Sequence, residues 1–157
     1  MARPPLTPIQ RQANALRREV SAHLASLRKA AGLSHNKLAE QVGWSSTRSK
    51  YIEQGTWRYL MAPIEYAAAA GYDIPQLGMA AGTLPNLGPN ITRLRTEAGL
   101  SLHKLAAATG GIDMSTISRL ESGYSDNVVL ESALILAHAL GVTLPELLFG
   151  HLTKEAP

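Results

Sequence analysis

Residues 27–43 read LRKAAGLSHNKLAEQVG, and residues 94–110 read LRTEAGLSLHKLAAATG. The two stretches align without a gap and agree at ten of 17 positions. Unrelated chains of ordinary composition would agree at about one. The chain is therefore built on an internal repeat. The register between copies is 67 residues here. It becomes 68 at Ile52-Glu53-Gln54-Gly55 against Leu120-Glu121-Ser122-Gly123. It becomes 70 at Ala67, Gly71, Pro75, Gln76 and Leu77 against Ala137, Gly141, Pro145, Glu146 and Leu147. The second copy thus carries one extra residue near Gly111 and two after Gly123. Such length changes belong in turns.

Outward from this match, each copy reads as five short helices. In the second, Asn90 opens a helix with Ile91, Leu94 and Ala98 on one face, and Gly99 ends it. Ser101 is placed to cap the next, with Leu105 and Ala106 inward. Gly110-Gly111 breaks the chain. Asp113 caps a third helix, with Ile117 and Leu120 inward, and Gly123 ends it. A fourth runs from Leu130 to Leu140, with Leu130, Leu134, Ala137 and Leu140 at helical spacing. Thr143 caps the last, with Pro145 in its first turn, where a missing N–H costs nothing. The first copy repeats the scheme with Leu24, Leu27, Ser34, Leu38, Ser45, Ile52, Gly71, Asp73 and Pro75.

Two further segments complete the organisation. GMAAGTLPNLGP (78–89) is rich in Gly and Pro, carries no charge, and reads as a linker. As flexible coil it would span roughly 20 Å, and stretched about 40 Å. Ahead of the first copy, Ile9, Ala13, Leu16, Val20, Leu24 and Leu27 recur at spacings of four and three. This predicts an amphipathic helical extension, as one helix or two abutting, that runs into the first copy. Its apolar face has two readings: a homodimer seam, or packing on its own chain. The expected units are an extension (1–22), a first domain (23–77), a linker (78–89), a second domain (90–150) and a tail (151–157).

Composition narrows the class. Apolar residues make up 45% and charged residues 17%, as in a globular, helix-leaning chain. With no Cys there is neither a disulfide framework nor a thiolate metal site. No apolar run reaches about 18 residues, and MARPPLTPIQRQ lacks a signal core. A cytoplasmic protein of bacterial or phage type, associated with the nucleoid, is expected. Residues 1–77 hold ten Lys/Arg and five Asp/Glu (+5), and residues 78–157 hold five and seven (−2). A basic half points to a polyanionic partner. No G-x-S-x-G elbow, P-loop or paired-carboxylate pattern occurs. His23, His35, His103, His138 and His151 lack metal-ligand spacing. Neither an enzyme, nor a metal, nor a cofactor is expected, and no effector domain is expected after the second copy.

The pattern GLS-x3-LA-x3-G, followed by a turn and a helix ending in E-x-G, stands twice. It is Gly32-Leu33-Ser34…Leu38-Ala39…Gly43…Glu53-Gln54-Gly55, and again Gly99-Leu100-Ser101…Leu105-Ala106…Gly110…Glu121-Ser122-Gly123. With the tails after Gly71 and Gly141, it resembles the repressor-type helix-turn-helix family of lambda repressor and Cro, the xenobiotic-response-element type. The resemblance covers about 23–77 and 90–150. It implies an all-α chain: two five-helix lambda-repressor-like helix-turn-helix domains in tandem, with an N-terminal helical extension. It implies double-stranded DNA as partner, and transcription regulation with repression as the outcome. The motif has a physical logic of its own. Ala39 and Ala106 are small enough for the third helix to cross the second closely. Gly43 and Gly110 supply a left-handed turn. The third helix then protrudes toward a major groove about 12 Å wide. The resemblance further implies structural ion pairs between Arg28 and Glu53 and between Arg95 and Glu121, for which the Arg fork is suited.

Groove-facing positions follow by elimination. In the first copy Ile52 and Ser49 face inward, which leaves Ser46, Thr47, Arg48, Lys50 and Tyr51 outward, with Ser45 at the cap. In the second copy Ile117 and Leu120 face inward, which leaves Met114, Ser115, Thr116, Ser118 and Arg119. Small hydroxyls with one or two cations suit base edges and nearby phosphates. The start of each second helix offers free N–H groups to a phosphate, flanked by His35 and Lys37 in one copy and by Leu102 and Lys104 in the other. Two positions depart from the family. His35 and Leu102 stand where Gln is common, and Ser49 takes a usual aliphatic place, with Trp44 the candidate to fill the space. The alternative function is an antitoxin-like or protein-interaction module that uses one copy for docking or dimerisation. Two like domains on one chain also imitate the halves of a repressor dimer, which predicts unlike half-sites about 34 Å apart.

Overall fold

A computed structural model of the chain describes residues 2–125 and 127–150, so the tail expected at 151–157 lies outside the described residues. In the first copy, α1 (Pro8–Ala30), α2 (His35–Val42), α3 (Ser46–Glu53) and α4 (Met61–Ala70) lead to a 3₁₀ turn at Pro75–Leu77. In the second, α5 (Leu87–Glu97), α6 (Leu102–Thr109), α7 (Met114–Glu121), α8 (Leu130–Leu140) and α9 (Leu144–Phe149) follow. Among the described residues there is no strand, only isolated antiparallel bridges of Tyr59 with Val129 and Ile74 with Met79. No helix of these residues is long and apolar enough to cross a membrane, and no group of three His, Cys, Asp or Glu is placed to hold a metal.

Local chemistry sets most helix ends. Ser34, Ser45, Ser101, Asp113 and Thr143 each accept a hydrogen bond from the backbone N–H three residues on, satisfying a donor the helix leaves open. Thr7 and Gln10 form a reciprocal capping box that starts α1. Gly43 and Gly110 end α2 and α6 in the left-handed conformation. The longer second turn is organised by Thr109, whose hydroxyl accepts from Ile112 N–H at 3.0 Å and donates to Ala106 C=O.

Three features differ from the sequence expectations. The last helix of the first copy is a single 3₁₀ turn that ends at Gly78 in the left-handed conformation, and Asp73 does not cap it. Asp73 is bound to His23 Nε2 instead, through its carboxylate at 3.2 Å and its carbonyl at 3.0 Å. The second difference concerns 78–89, which is packed rather than a free coil. Met79 is buried and bridges Ile74, and a Cβ on Gly78 would sit 2.6 Å from Pro145. Met79 and Leu87 belong to the core, whereas Leu84 stays exposed. Third, the first helix of the second copy starts at Leu87, not Asn90. Asn90 is a buried tie, donating from Nδ2 to the carbonyls of Leu147 and Leu148 at 3.1 Å.

The extension is one continuous helix with the first helix of the first copy, so position 22/23 falls inside α1. At 23 residues it is about 35 Å long. Ala13, Arg17, Val20 and Leu24 are buried on one face, and α1 packs against α8 of the other copy. Of the two readings of this face, the structure has it covered by its own chain. Burial is continuous across the copies. Leu24, Ile52, Trp57, Leu60, Ile64 and Leu77 share one apolar core with Ile91, Leu105, Ile117, Leu130, Leu136 and Leu147. Pooling two marginal cores in this way raises the fraction of surface that folding buries.

The copies solve one contact differently. Ser21 Oγ donates to Ile52 C=O at 2.7 Å and accepts from Trp57 Nε1 at 3.0 Å, tying α1 to the end of α3. The counterpart of Ser21 is Gly88, where a Cβ would meet the Leu120 carbonyl oxygen at 2.5 Å. There α5 lies directly against the end of α7, and only glycine leaves room.

Candidate nucleic-acid interface

Each copy holds its third helix with a part-buried fork. Arg28 donates to Glu53 through Nε at 2.8 Å and Nη2 at 2.9 Å, and from Nη1 to Leu33 C=O. Arg95 repeats this with Glu121 at 2.8 and 2.9 Å and with Leu100 C=O. One guanidinium thus joins the first helix, the turn after it and the end of the third helix. Burial alone would raise Glu53. The hydrogen bonds from Arg28 and Tyr66 Oη and the Arg28 charge outweigh it and hold the carboxyl below its usual range. Glu121 follows the same balance, with Arg95 and Thr92 as donors. Burial and the Glu53 contact push the Tyr66 hydroxyl far above its ordinary value.

With the third helices fixed in this way, their outer faces are open. On α3, Thr47, Arg48, Lys50 and Tyr51 are exposed and Ser46 is half-buried, while Ser45 at the cap is exposed. On α7, Met114, Ser115, Ser118 and Arg119 are exposed and Thr116 is half-buried. Lys37 and Lys104, near the starts of α2 and α6, are exposed. Several of these groups are already engaged. Arg48 pairs with Glu65 of α4, and its guanidinium lies 3.7 Å from the centre of the Trp44 ring. Ser115 Oγ donates to the Asp113 carboxylate at 2.9 Å. The bonds from Thr116, and then the one from Ser115, draw the Asp113 carboxyl down, so a negative charge stands at the head of α7.

His35 is half-buried. Its Nδ1 lies 2.9 Å from Ser49 Oγ, which is also 3.1 Å from Ser46 C=O. Nε2 faces Glu53 at 3.7 Å. Burial lowers the His35 pKa despite that carboxylate. The buried hydroxyl at the usual aliphatic position is therefore satisfied by a helix carbonyl and an imidazole. Trp44 packs edge-on to Tyr66 at 6.2 Å beside it.

Some residues at this surface lie beyond the reach of motif reading. Arg58, in the loop after α3, shares a groove of about 500 Å³ with Arg17, Arg18, Gln54 and Thr56. Arg18 and Arg58 are exposed there. Arg17 is buried and donates to Trp57 C=O and to Glu131. The only sequence signal for this groove is the excess of Lys/Arg in the first half.

Two open third helices, each seated across a second helix that ends at a left-handed glycine, define a helix-turn-helix DNA-binding regulator. Residues 19–81 match the family model described as a helix-turn-helix domain, and residues 91–147 match the one described as helix-turn-helix. The chain is a tandem helix-turn-helix protein of the repressor type. The comparisons with curated proteins and with solved structures give no match.

Proposed function

We propose that the chain is a sequence-specific double-stranded DNA-binding repressor that reads base edges with α3 and α7. The observation that supports this best is the pair of open helix faces, each fixed from behind by an arginine–glutamate fork. Thr47, Lys50 and Tyr51 of α3 and Ser118 and Arg119 of α7 are exposed, have no side-chain partner among the described residues, and are the side chains proposed to reach bases. Ser45, Ser46, Arg48, Met114, Ser115 and Thr116 border them. His35, Lys37 and Lys104 stand at helix starts suited to phosphate. Repression follows if the operator overlaps a promoter, by excluding polymerase. The working units are the two helix-turn-helix copies, the first with the whole of α1 and the second from Leu87, in the cytoplasm of a bacterial or phage-infected cell. Selection from random duplex DNA with the purified chain tests this reading. An enriched sequence is expected, with affinity that falls steeply as salt rises. Absence of duplex binding at low salt across the library overturns it.

One observation favours a second reading. The second copy is net acidic and places Met114, 47% exposed, at the head of α7 beside the Asp113 carboxylate. An apolar, acidic face suits a protein partner better than DNA, as in an antitoxin that docks through one copy. Salt-insensitive binding of a protein that is lost in variants with an altered α7, such as Met114→Ser, would support it.

A further inference from the structure

The two copies meet through residues that are each other's counterparts. Leu60 N–H donates to Val128 C=O at 2.9 Å, and Leu130 N–H donates to Arg58 C=O at 3.1 Å. Between them Tyr59 bridges Val129 in antiparallel fashion. In the register of 70, Leu130 is the counterpart of Leu60, Val129 of Tyr59 and Val128 of Arg58. Residue i of one copy meets j of the other, and j meets i. That reciprocity is the signature of a twofold axis, here within one chain.

A second observation extends the axis. The groove with Arg17, Arg18, Gly55 and Glu131 has a matching groove with Pro85, Gly88, Gly123 and Met61. Pro85 is the counterpart of Arg18, Gly123 of Gly55 and Glu131 of Met61. Each groove runs between the first helix of one copy and the fourth helix of the other. The twofold therefore extends from the bridge to the grooves on either side of it.

We infer that one chain is a complete, internally twofold reader, which covers two adjacent and unlike half-sites on one duplex without a second copy. This rests on the reading of α3 and α7 as base-contacting helices. The connections from those helices to the bridge are short, residues 54–59 and 122–129. Fully stretched they reach roughly 50 Å together. Half-sites one turn apart, about 34 Å, are within reach, and two turns, about 68 Å, are not.

The axis relates the backbones but not the chemistry. Lys50 corresponds to Ser118, Arg48 to Thr116, Tyr51 to Arg119 and Ser45 to Asp113. In the groove beside α3, Arg18 and Arg58 correspond to Pro85 and Val128. Phosphate neutralisation is concentrated on the α3 half-site, and the α7 half-site is held by fewer charges. Arg17 also lacks a counterpart of its kind, since Leu84 stands there, 62% exposed. The extension thus locks the axis from one side only.

The test uses the full chain on its selected duplex. Native mass spectrometry well above the dissociation constant is expected to show one chain per duplex, on a site with two different elements. Five base pairs inserted between the elements turn them to opposite faces, and affinity is expected to fall by about 10²-fold or more. Two chains on a true palindrome, or tolerance of the insertion, overturns the inference while leaving DNA reading intact. If no duplex is selected, the inference and the proposed function fall together.

Discussion

Arg17 in α1 and Glu131 in α8 lie 114 positions apart and form a two-pronged ion pair, Nη2 to Oε1 at 2.6 Å and Nη1 to Oε2 at 3.1 Å. The same guanidinium donates from Nε to Trp57 C=O, which places it against the loop that carries the inter-copy bridge. The bond from Arg17 draws the Glu131 carboxyl below its usual range. Arg17→Ala leaves a partly buried carboxylate and a buried carbonyl without their donor. A loss of about 2–4 kcal/mol is expected in urea unfolding. Glu131→Gln, which keeps an acceptor, is expected to cost less. A cycle that shows no coupling between the two changes would contradict the role given to this pair.

The two forks differ in load. Glu53 accepts from Arg28 and from Tyr66 Oη at 2.7 Å, whereas Glu121 accepts from Arg95 and Thr92. Tyr66 is 1% exposed, so losing its acceptor strands a buried hydroxyl. Glu53→Ala is expected to destabilise by about 3–5 kcal/mol, and Glu121→Ala by somewhat less. Equal midpoints for the two variants in thermal unfolding would count against the added part of Tyr66.

Acid should unfold the chain in two stages. Glu53, Glu121 and Glu131 all have depressed pKa values, so their contribution is fully present above the unfolded value, near 4.3. It is lost as pH falls through the still lower folded values. His35 is also depressed, which makes the folded state prefer the neutral ring. Its contribution is present above about 6.5 and fades as pH falls below that. A shallow decline in melting temperature below about pH 6.5 is expected, then a steeper one below about pH 4.5. His35→Gln should abolish the first stage and leave the second, and an unchanged first stage would assign it elsewhere.

Gly88 offers a sharper steric test. Gly88→Ala drives a Cβ to 2.5 Å from the Leu120 carbonyl oxygen and 2.8 Å from that of Glu121. Both are helix backbone, so α5 must retreat from α7. A cost of about 1–3 kcal/mol is expected in urea unfolding, against a few tenths for Gly111→Ala, whose Cβ meets nothing within 4 Å. A neutral Gly88→Ala would show that the approach of these helices is loose.

What the sequence made legible was local. Ser34, Ser101 and Asp113 announce helix starts because the cap and its donor lie three residues apart. The span Leu130–Leu140 follows from spacing alone. Leu87 escaped because Leu84–Pro89 has linker composition, and only packing against the other elements shows where the helix begins. Arg17 and Glu131 escaped for the opposite reason. No local pattern links residues 114 positions apart. The outer face of α3 was legible as a set of residues. The tie of Arg48 to Glu65 and Trp44 was not, since it depends on how α4 crosses the turn.

That tie holds Arg48 back from phosphate. Each cation that neutralises a phosphate adds about 0.9 to the slope of log affinity against log salt. Arg48 must leave Glu65 and the Trp44 ring to do so, whereas Lys50 is exposed and unengaged among the contacts described. Lys50→Ala is therefore expected to flatten the slope by about 0.9 on every sequence, and Arg48→Ala by less. Glu65→Gln, which releases Arg48, should steepen it. Arg119 is the lone cation on the outer face of α7 and corresponds to Tyr51, so it has no equivalent in the other half-site. If it reads a guanine, Arg119→Ala costs about 1–3 kcal/mol on the selected site and relaxes preference in that half alone. Binding titrations at several salt concentrations, on the selected site and on single-base variants, separate these effects. Should Arg119→Ala change neither affinity nor preference, α7 does not read DNA, and the acidic second copy is a docking domain beside a single reader.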